Sequence, residues 1–166
     1  PTWLLEMWDY STFGVGLGVT VGPLAAWSST VVFSRIGDRV GRIALCRLGG
    51  AIQVAAVSGQ LVNLDLGVEY WWAFAPGPIL FGIGWGMSTP LLNSIALDSV
   101  EEEFFGETNG LFNTLRYAAA AVGTAAMFAL LTVKSGPEAL EFSQRTLLFF
   151  LVATAAGFLA LWLPHR

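Results

Sequence analysis

One arginine and two asparagines fall in a row inside an otherwise apolar stretch. In Gly106–Met127, Asn109, Asn113 and Arg116 are spaced by three or four residues. Ala120, Gly123 and Met127 continue the row, so all six share one helical face. Amides give and accept hydrogen bonds, and a guanidinium carries a fixed charge with five donors. Such a row suits holding an anionic group or a proton-carrying carboxylate. An arginine inside a membrane span costs roughly 2.5–3.5 kcal/mol on insertion scales unless it faces protein or water. The row is therefore expected to face a polar interior. A structural reading stands beside the functional one. Arg116 lies six residues past Gly110, about 9 Å by helical rise, so its stem could snorkel to the interface and fix the helix.

Other polar residues sit where few are tolerated. Gln53 and Gln60 share a face with Gly49, and Asn93 shares one with Trp85 and Thr89. Each buried amide needs a partner in lipid. Ordinary interhelical hydrogen bonding and contact with a substrate are both open to the glutamines. Arg116, Asn113, Asn109, Asn93, Gln53 and Gln60 together form the candidate set for a substrate cavity.

The elements that must position them are membrane helices. Hydrophobic residues make up 55% and charged residues 12% of the 166, against about 25% charged in a soluble domain. Mean hydropathy is +0.64. Apolar runs of about 18 residues or more indicate helices rather than a barrel. The fold class is all-α, a polytopic helical membrane protein. A net charge of −4 and the lack of a dense basic patch exclude a nucleic-acid partner. Cys46, the single cysteine, cannot form an internal disulfide and reads as a small buried hydrophobe.

Five spans are expected, at about 12–33, 43–62, 71–97, 110–133 and 146–163. Trp3, Trp8 and Tyr10 suit an interfacial segment before the first, with Asp9 or Ser11 as its cap. Gly14, Gly18 and Gly22 recur every four residues there, which lets helices approach closely. Pro23 adds a kink or a hinge. In the third span Pro76-Gly77-Pro78 forms an early break. Gly82, Gly86 and Pro90 line one of its sides, and Trp85, Thr89 and Asn93 another. That span is long for a bilayer core of about 30 Å, so tilt or a kink is expected. Tyr70, Trp71 and Trp72 form a second aromatic belt. Gly123 continues the small-residue packing in the fourth span.

Between the first two spans, Ser34–Arg47 reads as a loop carrying Arg35, Arg39, Arg42 and Arg47. Arginine-rich loops stay on the cytoplasmic side. Arg166 then also lies inside, and Lys134 and Arg145 lie outside in the loop 134–145. The acidic segment Asp98–Thr108 reads as a solvated turn. Pro1 is not a start methionine and no basic leader precedes the first span, so the natural N-terminus is expected to be missing.

Two motifs resemble one family. Gly37-Asp38-Arg39-Val40-Gly41-Arg42 resembles the D-R-x-G-R signature of major facilitator superfamily transporters, which joins the second and third helices of each six-helix half. Gly82, Gly84, Gly86, Pro90, Gly106, Gly110, Leu111, Asn113, Thr114, Arg116 and Gly123 resemble the closing helices of its fourteen-span drug:proton antiporter branch. Together they cover about Gly14 to the C-terminus. The chain departs from the pattern at Gly37, at Ile43 and at Ala118–Ala121, where a glycine pair is usual.

The resemblance implies that the chain forms most of the second six-helix half, with a first half as missing partner. It also implies alternating access, with Asp38, Arg39, Gly41 and Arg42 as a conformational latch whose aspartate packs near a helix end of the other half. The function expected is proton-coupled efflux of small amphipathic compounds across the plasma membrane, with the C-terminus cytoplasmic. Substrate and protons would be partners alongside the lipid bilayer, without cofactor or metal. No carboxylate lies deep in any span; Asp98 and Glu107 are at edges. The coupling carboxylate would then belong to the first half. The alternative is an accessory five-span subunit that dimerises through its glycine faces. A membrane enzyme is disfavoured, because the spans hold no His/Glu cluster, Ser/His pair or G-x-G-D motif.

Overall fold

The computed structural model describes residues 11–63, 70–130 and 139–162. It is built from helices. Helix α1 is Thr12–Val40, α2 is Arg42–Asn63, α3 is Pro76–Leu97, α4 is Phe105–Leu130 and α5 is Ala139–Ala160. A π-helical turn, Tyr70–Phe74, precedes α3, and a short 3-10 turn, Glu102–Phe104, precedes α4.

Ser11 starts α1, its hydroxyl accepting the Gly14 N–H at 3.1 Å. The other expected cap, Asp9, and the aromatic segment around Trp3, Trp8 and Tyr10 lie outside the described residues. The helix then runs through Pro23 as far as Val40. The expected loop Ser34–Arg47 is therefore a single residue. Gly41 alone breaks the helix, with φ 102, and its N–H closes the last turn onto the Gly37 carbonyl at 3.0 Å. Ser34–Val40 contains no proline to stop the helix, and its one glycine, Gly37, has a packing reason. A Cβ there would stand 2.6 Å from Leu91 Cδ2 of α3.

Other helices extend beyond the stretches expected to span the membrane. The helices of the fourth and fifth expected spans start ahead of them, at Phe105 and Ala139, so Arg145 is helical. Glu107 lies in the first turn of α4, where a carboxylate complements the helix dipole. Pro76 and Pro78 open α3, where they interrupt no helical hydrogen bond. The helix continues through Pro90.

Helix α3 is the centre of the packing. Both α1 and α2 pack along it extensively, α5 packs on α2, and α1 and α2 barely touch each other. Glycines explain this. A Cβ on Gly82 would collide with the Gly22 carbonyl of α1, and one on Gly86 with the Ala26 carbonyl. Two residues round, on the opposite side, Gly84 faces α2: a Cβ would lie 2.5 Å from the Gly49 carbonyl, and one on Gly49 would lie 2.7 Å from the Gly84 carbonyl. Backbones thus meet directly on both sides. The buried core between them is Leu45, Cys46, Met87 and Leu91.

Among the described residues four stretches are long and apolar enough to cross a membrane: Phe13–Val40, Arg42–Asn63, Tyr70–Leu97 and Ser143–Ala160. Helix α4, at 26 residues, is long enough, about 39 Å. It is not one of the four; its most apolar 18-residue stretch still contains Asn113 and Arg116. It lies loosely against α3.

Candidate functional site: a polar cavity and an ion-paired elbow

A cavity of about 240 Å³ lies between α1, α3 and α4. Thr30 of α1 lines it, with Trp85, Thr89, Pro90 and Asn93 of α3 and Phe112, Asn113 and Arg116 of α4. Helical spacing explains the set. Trp85, Thr89 and Asn93 are successive turns of one α3 face, and Phe112, Asn113 and Arg116 belong to one turn of α4.

Arg116 is half-buried. Its Nη2 donates to the Tyr117 hydroxyl at 3.2 Å, and its guanidinium carbon lies 5.0 Å from the Tyr117 ring centroid. No ion pair forms on it among the described residues. Asn113 Nδ2 donates to the Asn109 carbonyl at 2.9 Å and to Asn109 Oδ1 at 3.0 Å. Asn93 Oδ1 is buried and accepts no hydrogen bond. Left unpaired, such an acceptor carries a desolvation cost of about 1–3 kcal/mol. Thr30 Oγ1 is used already, donating to the Gly86 carbonyl at 3.3 Å.

Three of the six candidates therefore meet: Asn93, Asn113 and Arg116. Asn109 does not line the cavity and instead accepts from Asn113. Gln53 lies on the α2 side of α3 and donates to Ser88 Oγ at 3.0 Å, an interhelical bond. Gln60 lines a separate, apolar cavity of about 300 Å³ with Phe74, Phe81 and Phe150. Sequence reasoning missed Thr30 and Phe112 as lining residues, and it set Pro90 on the glycine side of α3, whereas Pro90 lines the cavity beside Thr89. Phe112 precedes Asn113 and could have been found from it. Thr30 needed the α1–α3 register, which no local pattern carries.

At the C-terminal end of α3, just beyond Asn93, the loop-motif residues form an ion-paired elbow. Asp38, in the last turn of α1, and Arg42, which opens α2, pair at 2.6 Å. The guanidinium also reaches Asp98, the residue that ends α3. Its Nη1 donates to Ser94 Oγ at 3.0 Å. Gly41 lets the chain reverse so that these groups converge. Arg39 is exposed and takes no part in the elbow. Asp38 thus has a partner within the chain. Asp98 and Ser94 were not among the sequence candidates; an acidic residue ending the second helix after the motif was the available signal.

Of the expected packing glycines, Gly22, Gly82 and Gly86 lie at the α1–α3 crossing. Gly18 meets the ring of Tyr70, whose hydroxyl donates to the Gly18 carbonyl at 2.5 Å. Gly123 meets nothing, so it packs no helix among the described residues; α4 rests on its neighbours by its first half. Among the described residues no cluster of His, Cys, Asp and Glu could hold a metal ion.

Compared with known proteins, residues 1–124 match the family model of the Major Facilitator Superfamily. The match covers α1 to most of α4, with both the elbow and the cavity. No curated protein matches the chain, and no solved structure does.

Proposed function

The chain belongs to the major facilitator superfamily of membrane transporters, and from that premise we propose that it forms most of the second half of a proton-coupled exporter of small amphipathic compounds. The observation that carries this reading is the cavity shared by α1, α3 and α4, which unites aromatic rings, hydroxyls, amides and a cation. Amphipathic molecules need such a mixture: apolar walls for most of their surface and a few polar groups for orientation. In this reading the first half supplies the opposite wall and the coupling carboxylate. The elbow of Asp38, Arg42 and Asp98 acts as the latch of an alternating-access cycle. The arginine-rich end of α1 and α2 faces the cytoplasm, the membrane is the plasma membrane, and the C-terminus is cytoplasmic.

The test is transport in inverted membrane vesicles carrying the natural gene product. Uptake of N-phenyl-1-naphthylamine, a neutral amphipathic fluorophore, should need the proton gradient, and Arg116→Ala should slow it at unchanged membrane abundance. Wild-type uptake no faster than in vesicles lacking the protein would leave the accessory-subunit reading in its place.

A further inference from the structure

The polar cavity is small for the work assigned to it. A pocket for a drug-sized ligand measures about 300–1,000 Å³, and this one holds about 240 Å³. The apolar cavity of about 300 Å³ adjoins it along α3. Pro78, Phe81, Trp85 and Thr89 follow one another at steps of three or four residues, so they form one face of that helix. Pro78 and Phe81 line the apolar cavity, Trp85 and Thr89 the polar one. The Phe81 and Trp85 rings, one from each cavity, stack with centroids 6.3 Å apart and planes at 21°.

The second observation is how α5 lies. It closes on α2 toward its C-terminal end, where a Cβ on Gly50 would stand 2.9 Å from Phe158 Cδ2 and Arg47 covers the Trp162 ring. Toward its other end it stands off from α3 and lines the apolar cavity through Leu147 and Phe150. Phe150 is exposed. The walls there are three phenylalanine rings, small apolar groups and a single amide, that of Gln60. A space so lined stays free of water and suits hydrocarbon. A polar head beside α4 and an apolar tail along α3 would each meet matching surface.

We infer that the two cavities form one binding groove for single-tailed amphiphiles. A hydrogen-bonding head lies among Thr89, Asn113 and Arg116, and a hydrocarbon tail crosses the Phe81–Trp85 stack into the space between α2, α3 and α5. This deepens the proposed transport reading and rests on it for the position of the head. Tail length then sets affinity. Each methylene carried from water into the space should strengthen binding about fourfold, until the tail reaches its end.

The experiment is photolabelling of the natural gene product in membrane vesicles. The probe is octyl glucoside with a diazirine at the end of its tail, kept below solubilising concentration. Labels should fall on residues 74–81 and 147–150. Octyl glucoside should displace them at a free concentration at least tenfold below that needed of butyl glucoside. Leu147→Trp should plug the space and cut this labelling at least fivefold. Phe150→Ala should do the opposite and move the best competitor to a longer chain, a gain that misfolding cannot produce. Equal labelling of the same residues by a phospholipid with the diazirine on its acyl chain would mean that bilayer lipid fills the space, and would overturn the inference. So would labels confined to exposed residues of α5 such as Val152 and Leu159, or a chain-length preference that ignores both substitutions. Uptake of N-phenyl-1-naphthylamine separates the two levels. Uptake without labelling in the apolar cavity removes the groove and keeps the transporter; specific labelling without uptake does the reverse.

Discussion

Arg42 and Asp98 join the start of α2 to the end of α3, and the same guanidinium holds Asp38 at the end of α1. One side chain thus ties three helix ends together. Both carboxylates are largely exposed, 70% for Asp38 and 62% for Asp98, so salt should weaken the tie.

Since Arg42 serves both acids, its loss and theirs should not add. In nanodiscs, Arg42→Gln should lower the unfolding midpoint more than Asp98→Asn. The double variant should fall no further than Arg42→Gln alone. Additive losses would show that the two residues act separately. In transport, Asp38→Ala should slow turnover without changing substrate affinity; a pure affinity loss contradicts a latch.

The glycine contacts on α3 predict a sharp contrast between positions. Gly84→Ala places a methyl against the α2 backbone and should cost about 1–3 kcal/mol by overpacking. Gly123→Ala faces open space and should be neutral or stabilising by up to about 1 kcal/mol, since alanine favours helix. Denaturation by SDS, read by circular dichroism, measures both. Equal effects at the two sites would contradict the packing.

Gln53 and Ser88 offer a hydrogen bond inside the bilayer whose size can be read directly. Ser88 Oγ accepts from Gln53 and donates to the Gly84 carbonyl at 2.5 Å. A double-mutant cycle with Gln53→Leu and Ser88→Ala should give a coupling of about 0.6 kcal/mol and no more than about 1.7 kcal/mol, the range for such bonds in membranes. Zero coupling would place Gln53 elsewhere.

Helix α5 is fastened at its end by Arg47. The guanidinium lies 4.3 Å from the Trp162 ring centroid, and Nε donates to the Leu161 carbonyl at 3.2 Å. Arg47→Gln removes the cation–π contact, worth roughly 0.5–2 kcal/mol. Amide hydrogen exchange over Phe158–Trp162 should then quicken several-fold while the Leu45–Leu91 core stays protected. Unchanged exchange would mean that α5 is held elsewhere.

Much of this was legible in residue order. The membrane class followed from composition, and the Asn93, Asn113 and Arg116 faces from helical spacing. Gly82 and Gly86 were visible as a small-residue side. Gly41 was visible as a turn, but not as the whole turn, because helical propensity across Ser34–Val40 is unremarkable and the close approach of Leu91 that calls for glycine at 37 comes from far along the chain. The split of the glutamines was hidden too. Gln53 and Gln60 are two turns apart on one face, yet one meets Ser88 and the other an apolar gap. Which neighbour a face meets is decided by α3, and periodicity within α2 carries no information about it.

Direct backbone contact on two opposite sides of α3 also limits how that helix can move. Turning it about its own axis would drive Met87 or Leu91 into grooves shaped for a hydrogen atom, so rotation is blocked like a key in a slot. Displacement along the axis by one turn would set Leu80 or Ser88 against the α2 backbone where Gly84 now lies. The helix that bears Trp85, Thr89 and Asn93 is therefore keyed to both neighbours and has to travel with them as one body.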